Sequence, residues 1–265
     1  MSGQVSIQDP FATCRDATPI LELDEIGSTN AEAMRRAASG ECGPLWIKAT
    51  RQTAGRGRDG RAWQSPAGNL HASLLVTLWT PPADLPKLSL LAGVALATAM
   101  AGFLPAHGSK ADRPHLKWPN DLLFGNAKSA GILVETTLRA PGAFNCVLGF
   151  GANIVNAPEI PGRAVTCLAN QHVETAPSQL LAAIDRALRD GFAALSTPDG
   201  FSRVRDAWLR NAHPVGTLIT VNSPERSYKG RFAGLDRDGA LLLKDETGSL
   251  SRIDHGDVSA DDDLV

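Results

Sequence analysis

Polar and apolar residues alternate from Ile20, predicting a short strand that ends at Gly27. Thr29 and Glu32 then have the spacing of a capping box. They open a predicted helix through Ala38 that Gly40 stops. Leu45–Ala49 and Leu70–Trp79 read as strands, and Leu88–Leu104, uncharged and bracketed by Pro86 and Pro105, as a helix. His115–Trp118, Leu122–Phe124, Gly131–Leu138 and Asn145–Val155 follow as strands joined by Gly, Pro and Asn turns. Pro161–Pro177 fits neither period. Leu180, Leu181, Ile184, Leu188 and Phe192 then form one helical stripe within Ser178–Leu195, and Phe201–Arg210 is a second helix. Past the His213-Pro214 boundary, Thr217–Val221, Ser227–Leu235, Ala240–Lys244 and Ser249–Ile253 alternate as short strands around an Asp238-Gly239 turn.

Strands and helices mix without a regular β-α-β alternation. The order predicts an α+β domain with a mixed sheet, followed by a small all-β barrel of about fifty residues. The expected divisions are a loosely held tail over 1–19, a main domain over 20–212 and a barrel over 213–265.

Composition narrows the functions. At 265 residues and 43% hydrophobic, the chain has material for a large core. A net charge of −2 and a pI near 6.3 argue against a general nucleic-acid or membrane-surface binder. Cys14, Cys42, Cys146 and Cys167 have no close pairing, so neither a C-x-x-C metal site nor a disulfide framework is expected. A reduced cytoplasmic setting fits, and the first twenty residues show no secretory signal. The apolar run at Leu88–Leu104 falls at the short limit for a membrane span, and a buried core helix is expected.

Positive charge is local. Arg51–Trp63 holds four arginines and three glycines, a cationic and conformationally free loop suited to an anion. Gly55, Gly57 and Gly60 spell G-x-G-x-x-G, but that dinucleotide motif needs a helix to start within the glycines. The continuation Arg61-Ala62-Trp63-Gln64-Ser65-Pro66 does not propagate as one. Arginine at two variable positions points side chains, not amides, at the anion.

With Gln52 and this loop stand Ser28-Thr29-Asn30 upstream and Lys117-Trp118-Pro119-Asn120-Asp121-Leu122 downstream. Lys128-Ser129-Ala130-Gly131-Ile132-Leu133-Val134-Glu135 and Gly149-Phe150-Gly151-Ala152-Asn153 come next. In this order and rough spacing, from Asp24 to Val258, the chain resembles a biotin–protein ligase of the type lacking an N-terminal DNA-binding domain. The resemblance implies a mixed-sheet catalytic domain of the biotin/lipoate ligase type, akin to class II aminoacyl-tRNA synthetases, over 20–212. It also implies an SH3-like C-terminal barrel.

It further implies two steps. Biotin carboxylate attacks the α-phosphate of ATP, with Mg²⁺, giving biotinyl-AMP and pyrophosphate. A lysine of a biotin carboxyl carrier domain then attacks the anhydride. The carboxylate is already ionised at neutral pH, so the first step asks for positioning and charge neutralisation rather than a base.

The resemblance gives Lys128 and Arg58 the catalytic roles. It gives Ser28, Thr29, Asn30, Gln52, Gly55, Arg56, Lys128 and Gly131 contact with biotin. Arg56, Arg58, Arg61, Trp63, Lys117, Asn120 and Asn153 would meet ATP or the adenylate, and the arginine loop would close as a lid.

Local readings stand beside these roles. Ser28 or Thr29 is also a helix cap, Trp63 a core anchor for its loop, and Lys117 an edge-strand charge. Asn120 is also a turn residue, Lys128 a turn lysine and Gly131 a bulge. His71 replaces a frequent tyrosine, and Phe150 and Ala152 replace smaller or branched aliphatics. The proton acceptor of the second step is Asp121, water or neither. Lipoate or octanoate ligation, and non-catalytic nucleotide or carrier binding, are the alternatives. Nucleic-acid and membrane partners are not expected, a repressor role is disfavoured, and a monomer or homodimer would serve.

Overall fold

The computed structural model describes residues 7–14, 17–105, 113–223 and 225–260. The outer parts of the expected tail and barrel, 1–6, 15–16 and 261–265, lie outside them. Among the described residues, one seven-stranded sheet has the order β1-β2-β3-β7-β6-β5-β4. These strands are β1 (Ile20–Ile26), β2 (Leu45–Gln52), β3 (Leu70–Trp79), β4 (His115–Lys117), β5 (Asp121–Phe124), β6 (Ala127–Ala140) and β7 (Ala143–Ala152). Only β1 and β2 pair in parallel; the other ladders are antiparallel. The mixed sheet is the one the strand order predicts.

Strand alternation sends side chains to two faces. On one, Ile47, Leu75 and Val147 pack against Ala33 and Ala37 of α1 (Thr29–Ala38). On the other, Leu74, Val76, Leu148 and Ile132 meet a helical layer of α2 (Lys87–Ala101), α3 (Pro177–Leu195) and α4 (Gly200–Arg210). The apolar run is α2, with ten of its fifteen residues buried. Although a helix from Pro82 to Ala101 is long and apolar enough to cross a membrane, most of that window is covered by protein. Its uniform apolarity is that of a helix packed on several sides.

The stretch expected as a loose tail is partly core. Ile7 and Phe11 are buried, Phe11 meets Phe192 edge-on at 5.8 Å, and Arg189 lies 4.6 Å over the Phe11 ring. Arg189 also donates to the Cys14 carbonyl at 2.9 Å, while Asp185 accepts from Thr18 and from the Trp46 indole. Two apolar residues in a polar run are too few to show a period.

The C-terminal strands are β8 (Leu218–Asn222), β9 (Ser227–Leu235), β10 (Leu241–Lys244), β11 (Leu250–Ile253) and β12 (Asp257–Ala260). They form an antiparallel sheet in the order β11-β10-β9-β8-β12. The strand β12 was not among those expected. Gly239, at the β9–β10 turn, docks so closely on the main domain that an added Cβ would sit 2.7 Å from Leu90 and 3.2 Å from Phe201.

Burial pushes the Cys146 thiol up to about 12, whereas Cys42 is exposed. Iodoacetamide should therefore alkylate Cys42 in the native protein and spare Cys146 until denaturant is added. Peptide mass mapping checks this, and native labelling of Cys146 would contradict its place in the core.

Candidate active site

One register organises the α1 face of the sheet. Ser73 of β3 pairs with Gly149 of β7, which pairs with Leu133 of β6. Two residues along, His71 pairs with Gly151, and Gly151 with Gly131. Glycine at three of these adjoining positions leaves a hollow where side chains would otherwise stand. The space is used tightly: a Cβ on Gly149 would lie 2.1 Å from Asn30 Oδ1, and one on Gly151 2.5 Å from the Trp63 indole.

The N-terminus of α1 delivers a polar triplet to this hollow. Ser28 is the N-cap and accepts from the Ala31 amide at 3.4 Å. Glu32 turns instead to Arg35 and Arg36, so the expected capping box does not form. That releases Thr29 and Asn30 toward the cavity. Gln52 Oε1 accepts from the Thr29 amide at 2.8 Å, and its Nε2 donates to Ser65. Ser73 Oγ lies 2.7 Å from Thr29 Oγ1 and 2.6 Å from Asn30 Oδ1. The Asn30 amide donates to Glu135 at 2.8 Å and to the Leu133 carbonyl at 3.2 Å. Such a buried network fixes which donors and acceptors face the hollow.

The arginine loop folds as a small hairpin over the same space. Arg56 bridges Ala62, Gly57 donates to the Arg61 carbonyl at 2.7 Å, and Trp63 donates to the Gly55 carbonyl at 2.9 Å. Its tip turns on Asp59 and Gly60, both at positive φ, a conformation aspartate and glycine tolerate. No helix follows, so the G-x-G-x-x-G spacing builds a hairpin. Each cation meets a carboxylate: Arg56 with Glu135 at 3.3 Å, Arg61 with Asp257 in a short ion pair, and Arg58 with Asp257 at 3.7 Å. Arg58 also donates to Asn120 at 3.4 Å and to the Gly256 carbonyl at 3.3 Å.

Lys128, expected just ahead of an apolar strand, lies within β6, which excludes its local reading as a turn lysine. Its Nζ is 2.5 Å from Asp121 and 5.4 Å from the centre of the Trp63 ring. The β5–β6 ladder shifts register here, Leu122 facing Ala130 and Leu123 facing Lys128, so the bulge falls at Ser129 rather than Gly131. The unassigned stretch after Pro161 runs beside this strand, Lys128 donating to the Ala164 carbonyl and accepting from the Thr166 amide. It brings Arg163 and Val165 to the cavity wall, beside Ile160 just before it.

Ser28, Thr29, Asn30, Gln52, Arg56, Arg58, Arg61, Trp63, Asn120, Lys128 and Gly131 therefore line one cavity. Three expected residues stand elsewhere. Gly55 is buried where a Cβ would meet the Trp63 carbonyl at 2.5 Å, so it lets the hairpin arms close. Lys117 sits on β4 opposite Asp121. Asn153 is buried beyond the strand end, donating to the Thr166 carbonyl and accepting from Asn69. Sequence reasoning passed over Ser73, Glu135, Arg163 and Asp257. Ser73 left a trace as a polar residue in a strand otherwise rich in Leu and Val, and Glu135 as the last residue of the Lys128–Glu135 motif.

The Phe150 ring packs on Trp46 at 5.8 Å in the main core, while the residue also contributes to the cavity lining. His71 is buried on the cavity side, and burial holds its imidazole below the ordinary histidine value against the Pro66 hydrogen bond. Nε2 lies 3.1 Å from that carbonyl and donates to it, leaving Nδ1 an acceptor.

The sequence profile of the Biotin/lipoate A/B protein ligase family matches residues 32–153, and that of the Biotin protein ligase C terminal domain matches 216–260. A biotin–[acetyl-CoA-carboxylase] ligase of Paracoccus denitrificans is 36% identical over 232 residues, 85% of this chain and 94% of that protein. The chain belongs to the biotin protein ligase family. A biotin protein ligase of Aquifex aeolicus, in complex with biotin and ATP, shares the fold with a TM-score of 0.73 at 24% identity, covering 91% of this chain and 97% of that one. The Leishmania major biotin protein ligase in complex with biotinyl-5-AMP gives a TM-score of 0.61 at 25% identity, over 91% and 100%. The α+β fold and its C-terminal sheet are those of biotin protein ligases.

Replacing Gly149 with alanine tests the hollow directly. The added methyl cannot fit beside Asn30 without displacing it, so Gly149→Ala should cost about 1–3 kcal/mol. By differential scanning calorimetry the melting temperature should fall by about 2–4 °C per kcal/mol. An unchanged melting temperature would show that Asn30 does not fill this space.

Proposed function

We propose that this chain joins biotin to ATP as biotinyl-5′-AMP and then transfers the biotinyl group to a lysine of a biotin carboxyl carrier domain. The convergence of a polar nest and a cationic hairpin on one glycine-lined hollow is the observation that carries the reading. A bicyclic ureido acid has a flat polar head and an apolar body. Ser28, Thr29, Asn30 and Gln52 offer amide and hydroxyl partners to the head, and Gly131, Gly149 and Gly151 let Asn30 and Trp63 close on the hollow that would hold the body. A lipoyl or octanoyl group has no such head and would draw no hydrogen bonds from this polar network.

In the first step a carboxylate oxygen bonds to the α-phosphorus as the α–β bridging bond breaks, and pyrophosphate leaves with that electron pair. Lys128 lies at the junction between the polar nest and the hairpin, where it neutralises charge on the reacting carboxylate and α-phosphate. Arg56, Arg58 and Arg61 hold the phosphates, and Trp63 and Asn120 frame the nucleotide.

Magnesium fits as an ion carried by the triphosphate. Among the described residues no cluster of three metal-ligating side chains exists, but Mg²⁺ on a nucleotide needs only one or two carboxylates. Asp121 in the cavity wall would serve, and the ion would offset triphosphate charge.

In the second step the lysine nitrogen of the carrier bonds to the biotinyl carbonyl carbon and AMP leaves. The attacking amine loses a proton, and we take Asp121, which lines the cavity beside Lys128, as the group that accepts it.

With ATP, Mg²⁺, labelled biotin and a carrier domain, the protein should label one carrier lysine. Transfer of lipoate or octanoate in place of biotin would overturn the reading. Lys128→Ala should lower ATP–pyrophosphate exchange by about 10²–10³-fold with the circular dichroism spectrum intact, and retained exchange would remove Lys128 from the chemistry. Arg58→Gly should release biotinyl-AMP, measured as biotinylation of bystander lysines on added albumin. Labelling at the wild-type level would mean that Arg58 does not seal the site.

A further inference from the structure

Asp257 belongs to none of the motifs in the main domain. It opens β12 of the C-terminal sheet, yet its side chain lines the same cavity as Lys128 and Gly131. Two hairpin arginines converge on it: Arg61 Nη2 makes a short ion pair with Oδ2, and Arg58 Nη1 lies 3.7 Å from Oδ1. The neighbouring backbone extends the contact, the Gly256 carbonyl accepting from Arg58 Nη2 at 3.3 Å. Arg163, on a third element of the cavity wall, adds positive charge. Partial burial pushes the Asp257 carboxyl up, but Arg61, Arg58 and Arg163 outweigh it and hold the group below the ordinary carboxylate value.

The position is fixed from behind. Gly256 has φ near +150°, and a Cβ there would lie 2.9 Å from Val221 and 3.0 Å from the Asn222 carbonyl. Only glycine lets the chain enter β12 this close to β8. The C-terminal sheet is anchored separately, by Gly239 against Leu90 and Phe201. Asp257 is therefore presented to the hairpin by a docked lobe rather than by a free side chain.

To a guanidinium fork, a carboxylate and two phosphate oxygens offer the same pair of acceptors. Arginines of two elements around one carboxylate describe a phosphate site with a carboxylate in it. We propose that Asp257 is the enzyme's internal phosphate surrogate: it holds Arg58 and Arg61 over the cavity until the triphosphate of ATP displaces it. It takes them back as pyrophosphate leaves. This rests on the reading that these arginines bind nucleotide phosphates.

Charge decides the order of events. A triphosphate carries several negative charges and outbids one carboxylate for both arginines. After pyrophosphate departs, the adenylate carries a single charge, matched by that of Asp257. The arginines are then shared between the two, and the hairpin stays down over the anhydride. Asp257 acts through Arg58 and Arg61 and is a positioning residue.

Asp257→Asn keeps size and shape but removes the competing charge. Its KM for ATP should fall about fivefold, with KM for biotin unchanged. Trypsin should cut the nucleotide-free variant after Arg58 and Arg61 several-fold faster than the wild type. Inorganic pyrophosphate should slow that cleavage in both, and Asp257→Glu should restore wild-type behaviour. A rise in KM for ATP, or cleavage at the wild-type rate, would make Asp257 an ordinary inter-lobe ion-pair partner and end the proposal. Proteolysis needs no turnover, so it reads the hairpin contact by itself. Absent ATP–pyrophosphate exchange in the wild type would instead sink the functional reading.

Discussion

The candidate site depends on the lateral register of three strands. β3, β7 and β6 place Ser73 beside Gly149 and Leu133, and His71 beside Gly151 and Gly131. A shift of one residue would turn the glycines to the helical layer and bring Phe150 into the hollow. Hydrophobic alternation prevents the shift. Leu74, Val76, Leu148 and Ile132 must face α2 and α3, and Leu75 and Val147 must face α1. Core burial thus sets the geometry of the pocket, because both are consequences of one pairing pattern.

The second constraint is electrostatic. Five cations around one cavity would repel, and four of them already have a carboxylate: Arg56 with Glu135, Arg58 and Arg61 with Asp257, and Lys128 with Asp121. Two unit charges about 4 Å apart attract by about 4 kcal/mol at an effective dielectric of about 20. Partly exposed pairs retain only about 0–1 kcal/mol after solvent and side-chain entropy are counted. These pairs are strong enough to set conformation and weak enough to exchange. Glu135 carries a further link, since it accepts from Asn30 as well as from Arg56. A ligand that reorganises the polar nest therefore touches the partner of the hairpin's first arginine.

Much of this was legible in the sequence, for identifiable reasons. Strands with clean alternation or dense Leu and Val, such as Leu70–Trp79, lie where the pattern put them, as do the stripe of α3 and the uncharged α2. The legible site residues sit in short motifs near chain reversals. What stayed hidden came from distant segments meeting. Asp257 is one acidic residue in an acidic, irregular stretch, and its place follows from β12 returning to pair with β8. Arg163 lies in a segment with no period, held by a short pairing with Lys128 rather than by a pattern of its own. Ile7 and Phe11 join the core because α3 offers Phe192 and Arg189, which no local window reveals. The capping box failed through a rival: Arg35 and Arg36, one turn on, compete for Glu32 and win.

Internal neutralisation also sets what opens the site. The carboxylates that hold the hairpin are tethered, so the arginines meet them at an effective concentration of about the millimolar range or above. A free monoanion must compete with each separately and gains nothing from displacing one. A triphosphate meets several cations at once, and the gains add because its charges are linked. Linked charge is what distinguishes a nucleotide from phosphate or acetate at similar concentration. Discrimination among anions then follows from charge number and spacing, without a pocket shaped to each phosphate. On the proposed reading, the polar nest, where hydrogen bonds are directional and buried, is left to choose the acid.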